Sequence, residues 1–159
     1  MIDTTGLTDT HVLACTLYGE ARSESVEGII AVGCVIRNRV NADLGNEGKP
    51  DWWGEGYRGV CLKPQQFSVW NDDDSGNHKK LLALVTQLKI GPVTDPVYIQ
   101  CAWIATGIIK DWALDVTNGS DHYHAAAMLP RPVWAQPHVP YKQVGRHLFY
   151  RLRPVLKPV

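Results

Sequence analysis

The chain has no surplus of charge, no long apolar run and no closely spaced cysteine pair, and each absence removes a class of function. Sixteen basic residues balance sixteen acidic ones, for a formal net charge of zero. A nucleic-acid-binding domain ordinarily shows a basic stripe or patch, so no nucleic acid partner is expected. Bulk charge gives no grip on a strongly anionic polymer either, and a partner must be recognised by shape and local contact. No stretch approaches the ~20 apolar residues that cross a bilayer, which argues against stable membrane insertion. The opening "MIDTTGLTDT" has neither the basic nor the apolar region of a signal peptide. The expectation is synthesis in the cytoplasm, with any export needing outside help.

Other absences are local. The cysteines at positions 15, 34, 61 and 101 form no CxxC. Cys15 and Cys34 fall in apolar helical patterns, where a free cysteine behaves as a small hydrophobe. Four reduced, buried thiols are expected, and the spacing selects none of the three possible pairings. No GxSxG elbow surrounds a serine. "DHYHA" offers Asp121, His122 and His124, but without an HExxH helix or Cys/His pairs it makes a poor zinc site. No metal and no cofactor are expected. There is no internal repeat, linker or low-complexity segment.

What is present is a globular composition, 45% hydrophobic and 20% charged over 159 residues, enough for one domain with a real core. Residues 1–159 are therefore read as a single domain. Thr8, Asp9 or Thr10 can cap a first helix running toward Tyr18 and weakening at Gly19. In "SVEGIIAVGCVIRNRV", Val26, Ile29, Ile30, Gly33, Ile36 and Val40 recur at three- and four-residue steps and predict a second helix with one apolar face. Helical periodicity returns in "HKKLLALVTQLKIG", stopped by Gly91–Pro92, and in "VYIQCAWIATGIIKDWAL", for which Asp95–Pro96 is a cap and first-turn pair. "VCLKPQQFSVW" is expected to supply short strands, and a proline-rich tail to wrap the domain. The class is α+β, mainly helical, with a small β element.

The glycine-rich stretch from Asn41 to Gly59 is long for a loop in a compact domain, and such loops are often functional. It carries Trp52 and Trp53. Loop tryptophans can stack on the apolar faces of sugar rings or fold back on the core, whereas Trp103 and Trp112, in a helical stretch, are expected in the core.

The sharpest local question is the segment "TLYGEARSES". Glu20 follows Gly19, whose missing side chain would let another molecule approach, and stands one turn before Glu24. A glutamate between a packed helix and a turn can be partly desolvated, which raises its pKa and suits it to protonating a leaving group. An idle surface carboxylate has the same spacing, and Glu24 can equally be a helper or simply a favourable charge near a helix start. A two-carboxylate glycosidase would need a partner such as Asp121 or one of Asp72, Asp73 and Asp74 across a cleft.

Four blocks in order resemble the SleB-like cell-wall hydrolases, the spore cortex-lytic enzyme type: "LYGEARSESVEGIIAVGCVIRNRV", "QFS", "HYHA" with Pro132–Ala135, and "VGRHLFYR". The resemblance implies a lysozyme-like, lytic-transglycosylase-like catalytic domain. It implies that Glu20 is the catalytic residue and Glu24 supports it. Gln66, Ser68, Tyr123 and His124 would line the substrate cleft, and Trp134 and the "GRHLFY" run would fasten the chain end to the core. The implied substrate is the peptidoglycan glycan strand, cut between N-acetylmuramic acid and N-acetylglucosamine with formation of a 1,6-anhydro end; a hydrolytic muramidase is the alternative, and a non-catalytic peptidoglycan-binding protein a third reading. The absence of a signal peptide, anchor and wall-binding repeat resembles a small phage endolysin: a monomer reaching the periplasm through a holin. The Asn41–Gly59 loop is longer than that family suggests.

Overall fold

The computed structural model describes residues 1–42, 44–45, 51–72 and 76–152. Among these, helices come first and strands last. The helices are α1 (Asp9–Ala21), α2 (Val26–Ala42), α3 (Gly56–Leu62), α4 (Gly76–Ile90) and α5 (Pro96–Ile109), with a 3-10 turn at Ser68–Trp70 between α3 and α4. The strands are β1 (His122–Ala125), β2 (Lys142–Val144) and β3 (His147–Tyr150). The mainly helical α+β class is borne out.

Helix α1 is the axle. Thr8 caps it in a reciprocal box: Thr8 Oγ1 accepts from the His11 N–H at 3.2 Å, and His11 Nδ1 accepts from the Thr8 N–H at 3.3 Å. Every residue from Val12 to Leu17 is buried. A helix apolar on all sides belongs at the centre of a fold, and α2, α3, α4, α5 and the 3-10 turn all pack on it. Its one polar residue in that run is satisfied: Thr16 Oγ1 donates to the Val12 carbonyl at 2.8 Å and accepts from Trp70 Nε1 at 3.0 Å.

Ser25 starts α2, its Oγ accepting from the Gly28 N–H at 3.2 Å. Gly33 brings α2 against α5, since a Cβ there would stand 2.9 Å from Ile108 Cγ1. Asp95 caps α5 through the Val97 and Tyr98 N–H groups, with proline in the first turn. The far end of α5 is closed by the buried Arg37, whose Nη1 donates to the Ile108 carbonyl at 3.5 Å and, beyond the helix, to the Ala113 carbonyl at 2.7 Å. A cation on helix-terminal carbonyls is favourable for charge as well as hydrogen bonding.

The sheet has order β1-β3-β2 and is antiparallel, with Tyr123 opposite Phe149. It packs on α2, where Ala31 and Val35 meet Val144 and Phe149. The strands are not where the sequence placed them. "VCLKPQQFSVW" folds instead into the end of α3 and the 3-10 turn, burying Val60, Cys61, Val69 and Trp70. The sheet comes from "HYHA" and "HLFY", runs of four residues too short for alternation to register and flanked by turn-forming sequence. Trp103 and Trp112 are 74% and 70% exposed, not core. All four cysteines are free and buried. Asp73, Asp74, residues 46–50 of the long loop and the prolines at 154 and 158 lie outside the described residues.

Candidate active site

Helix α1 does not stop before Glu20; it runs through Gly19 and Glu20 to Ala21. The sequence reading had another molecule approaching Gly19, but the neighbour is Val69 of the 3-10 turn. A Cβ on Gly19 would fall 2.0 Å from Val69 Cγ2. The missing side chain lets that turn close onto the helix, where the Val69 N–H donates to Glu20 Oε1 at 3.4 Å. From the other side, the Tyr123 hydroxyl of β1 donates to Glu20 Oε2 at 3.2 Å. The carboxylate is thus held between a helix, a turn and a strand.

Burial raises the Glu20 pKa above its ordinary value, against the Val69 and Tyr123 hydrogen bonds, which pull it down. Both bonds are long, so desolvation wins. The position at the C-terminal end of α1, with no basic residue in the last turn, also disfavours the anion. Burial, Glu20 itself and the hydrogen bond to it keep the Tyr123 phenol well above its usual range, so it remains a neutral donor.

Glu20 opens into a groove of about 740 Å³ lined by residues from α1, α2, the 53–68 segment, β1, the 128–134 segment and β3. Among the described lining residues it is the one carboxylate. Arg39 joins the walls: its Nε donates to the Asp121 carbonyl at 2.8 Å and its Nη1 to Gln66 Oε1 at 2.7 Å. Its guanidinium also lies over the Trp53 and Phe67 rings. Gln66 completes the brace, its Nε2 donating to the Trp53 carbonyl at 2.8 Å.

The structure brings Glu20, Gln66, Ser68, Tyr123 and His124 to one groove. Their environments differ. Ser68 is exposed at the rim. Both ends of Gln66 are engaged within the protein, which makes it a brace. His124 is buried, with Nδ1 donating to the Ala125 carbonyl and Nε2 accepting from the Tyr150 hydroxyl, each at 2.8 Å. It offers the groove a ring face.

Glu24 does not line the groove. It is nearly buried beneath the β2–β3 turn, 3.4 Å from Arg146 Nε and 3.6 Å from His147 Nδ1. Gly145 makes room for it: φ is +54°, and a Cβ there would stand 3.0 Å from Glu24 Oε2. His147 in turn lines the groove and meets the Tyr123 ring edge-on at 5.1 Å. Glu24 therefore supports the wall that supports Tyr123.

Sequence reasoning gave no groove role to Arg39, His122 or His147, and left Trp53 open between stacking on a sugar and folding back on the core. Trp134, expected to fasten the chain end, lies at the groove between His122 and His124 and edge-on to Tyr150. His122 Nδ1 is 2.8 Å from Oδ1 of the fully buried Asp121, which orients its ring toward the groove. A buried aspartate beside a histidine in "DHYH" was the available signal.

A family model described as Cell Wall Hydrolase matches residues 23–150, most of the chain. The chain belongs to the cell wall hydrolase family. The match begins just after Glu20, so the reading of that residue rests on the geometry above. The spore cortex-lytic enzymes of Bacillus subtilis (strain 168) and Oceanobacillus iheyensis are each 26% identical to this chain over 148 residues, 89% of its length. It spans only 37% and 41% of those relatives. Its fold is shared with two solved structures. The catalytic domain of the germination-specific lytic transglycosylase SleB from Bacillus anthracis superposes with TM-score 0.57 and 22% identity, over 91% of this chain and 97% of that one. The catalytic domain of the Bacillus cereus SleB protein gives 0.59 and 21%, over 91% and 92%.

Proposed function

We propose that this chain is a peptidoglycan glycosidase that cuts the β-1,4 bond between N-acetylmuramic acid and N-acetylglucosamine, with Glu20 as the single acid and base. The observation that carries the reading is a partly desolvated carboxyl at the end of a central helix, the one carboxylate among the described residues that line the groove. Protonated Glu20 donates to the glycosidic oxygen as the C1–O bond breaks. The sugar's own acetamido oxygen stabilises the positive charge at C1. The carboxylate left on Glu20 then takes the proton of the muramic C6 hydroxyl as that oxygen closes on C1, giving a 1,6-anhydro end. Atoms and protons balance without water, and Glu20 is restored. Tyr123 and the Val69 N–H position the carboxylate, and Gln66, Ser68 and His124 shape the groove.

Among the described residues, the groove offers the muramidase alternative no second carboxylate. Asp121 is fully buried and bonded to His122 Nδ1 and the Leu152 N–H, away from the groove lining. Asp72 pairs with the N-terminus and lies near His78. A purely binding protein has no use for a desolvated carboxyl at the groove floor.

Mass spectrometry of muropeptides released from purified sacculi tests the reading. Ends lighter by one water than reducing ends support it; reducing ends alone replace it with hydrolysis; no release by the parent protein rejects both. The biological half of the proposal is phage-induced host lysis by a monomeric enzyme. The zero net charge supports the need for a holin, since it gives the protein little means of crossing a membrane unaided. Lysis on expression with a holin, and none without, is the expected result.

A further inference from the structure

A second hollow, about 540 Å³ and open to solvent, adjoins the groove and shares Trp53, Gln65 and Gln66 with it. Its remaining wall comes from Asp51, Trp52, Lys63 and Pro64. The size lies in the range of small-ligand sites, roughly 300–1,000 Å³. Trp52 is 71% exposed, yet its backbone is pinned, because Lys63 Nζ donates to its carbonyl and the Asp51 carbonyl accepts from the Gly54 N–H. The ring faces solvent from an anchored backbone. Trp103 and Trp112 are as exposed, but neither borders either hollow.

Gln65 stands on the ridge between the two hollows with φ at +68°. A side chain other than glycine's takes that left-handed conformation at a cost, and such residues concentrate where ligands are held. The hollow therefore combines an exposed indole face with a carboxylate, an ammonium group and a primary amide. That is the chemistry of a sugar ring, with an apolar face for stacking and hydroxyl and amide groups on its edge.

We propose that this hollow is an outer saccharide subsite, in which Trp52 stacks on a sugar ring of the same strand that Glu20 cuts. The idea rests on the glycan-cleaving reading of Glu20. Continuity with the groove names the occupant, since a strand lying past Gln66 and Trp53 continues into the hollow. A strand too short to reach Trp52 is cut without its help.

The test is a chain-length series of peptide-free glycan oligomers, with Trp52→Ala, Trp52→Phe and, as a surface control, Trp103→Ala. Trp52→Ala is expected to raise KM on the longest oligomers about tenfold, with kcat and the shortest cleavable oligomer unaffected. Trp52→Phe retains most of the affinity, and Trp103→Ala matches the parent at every length. Thermal melts confirm folding, which an exposed side chain should not disturb. An equal loss at all lengths, or no loss at any, overturns the subsite. Titration of the same oligomers into Glu20→Gln proteins with and without Trp52 reads the subsite by affinity alone. A parent that binds long oligomers but cuts none therefore refutes the reaction while the Trp52 difference still decides the subsite.

Discussion

The hydroxyl of Tyr123 donates to Oε2 of Glu20 across 3.2 Å, joining a strand near the end of the chain to a helix near its beginning. The bond favours the carboxylate and opposes the burial that raises the Glu20 pKa. Tyr123→Phe removes that pull, so the Glu20 pKa rises further. In the proposed mechanism the acid acts when protonated, hence the descending limb of kcat/KM moves to higher pH. The maximal kcat falls about tenfold, the worth of one hydrogen bond to a charged group. A pH profile of turnover on soluble glycan oligomers checks it, and an unmoved limb would show that Tyr123 does not act through Glu20.

Glu20 should also cost stability at neutral pH. Its folded pKa is raised, so between the ordinary value of 4.5 and the raised one the folded state holds more protons than the unfolded state. Stability is then fully present below pH 4.5 and declines as the pH climbs through the folded pKa. Glu20→Gln, uncharged and similar in shape, is expected to abolish turnover and to melt above the parent at neutral pH. The gap should close below about pH 4.5. Melting curves across pH decide it; a variant that melts below the parent at neutral pH contradicts the desolvation argument.

Gly19 is the hinge of the site's construction. Alanine there gains about 1 kcal/mol of helix propensity, but its Cβ meets Val69 Cγ2 at 2.0 Å and Val69 Cβ at 2.7 Å. Overpacking costs about 1–3 kcal/mol, and relief requires moving the turn whose N–H holds Glu20. Gly19→Ala is expected to lose stability and to lower kcat more than it raises KM. Adding Val69→Ala removes the nearer contact and leaves the other, so recovery is partial. Chemical denaturation and kinetics on the single and double variants test this.

The helices were legible because their signals are local and repeated. Apolar residues at three- and four-residue steps marked α2, and Asp95–Pro96 marked the start of α5. The sheet was not legible. Its strands are three or four residues long, and what makes them strands is pairing across residues 122–150 and packing on α2, neither of which leaves a local pattern. At the site, the charge and position of Glu20 could be read, but its neighbours could not. Val69 reaches it because Gly19 has no Cβ, and Trp134 reaches the groove by a turn sequence with no periodicity. The exposed Trp103 shows the converse, that a hydrophobic residue on a helix need not face inward, while Trp112 lies beyond the end of α5 at Ile109.

Arg39 offers a test of the groove's wall. One planar guanidinium spans the Gln66 amide oxygen and the Asp121 carbonyl while lying over two rings. Lysine keeps the charge but not the fork. Arg39→Lys is expected to leave one acceptor unpaired in a part-buried setting, at about 1–3 kcal/mol. Activity should fall with stability as Gln66 and Trp53 loosen. A variant with parental melting and turnover would mean that the brace is dispensable.

Glu24 is best tested through its histidine. Burial lowers the His147 pKa, Arg146 and His124 push the same way, and Glu24 opposes them. His147 Nδ1 is buried without a hydrogen-bond partner among the described residues. With its pKa depressed below 6.5, the folded state binds fewer protons than the unfolded state, so this contribution to stability is present above pH 6.5 and lost as the pH falls through the folded pKa. Glu24→Gln removes the one charge that eases protonation and depresses the pKa further. The variant should melt below the parent, with a gap that widens as the pH drops from about 6.5 toward 5. Because His147 meets the Tyr123 ring, turnover should weaken most over the same interval. A gap that stays constant across it would mean that Glu24 holds the turn through Arg146 alone.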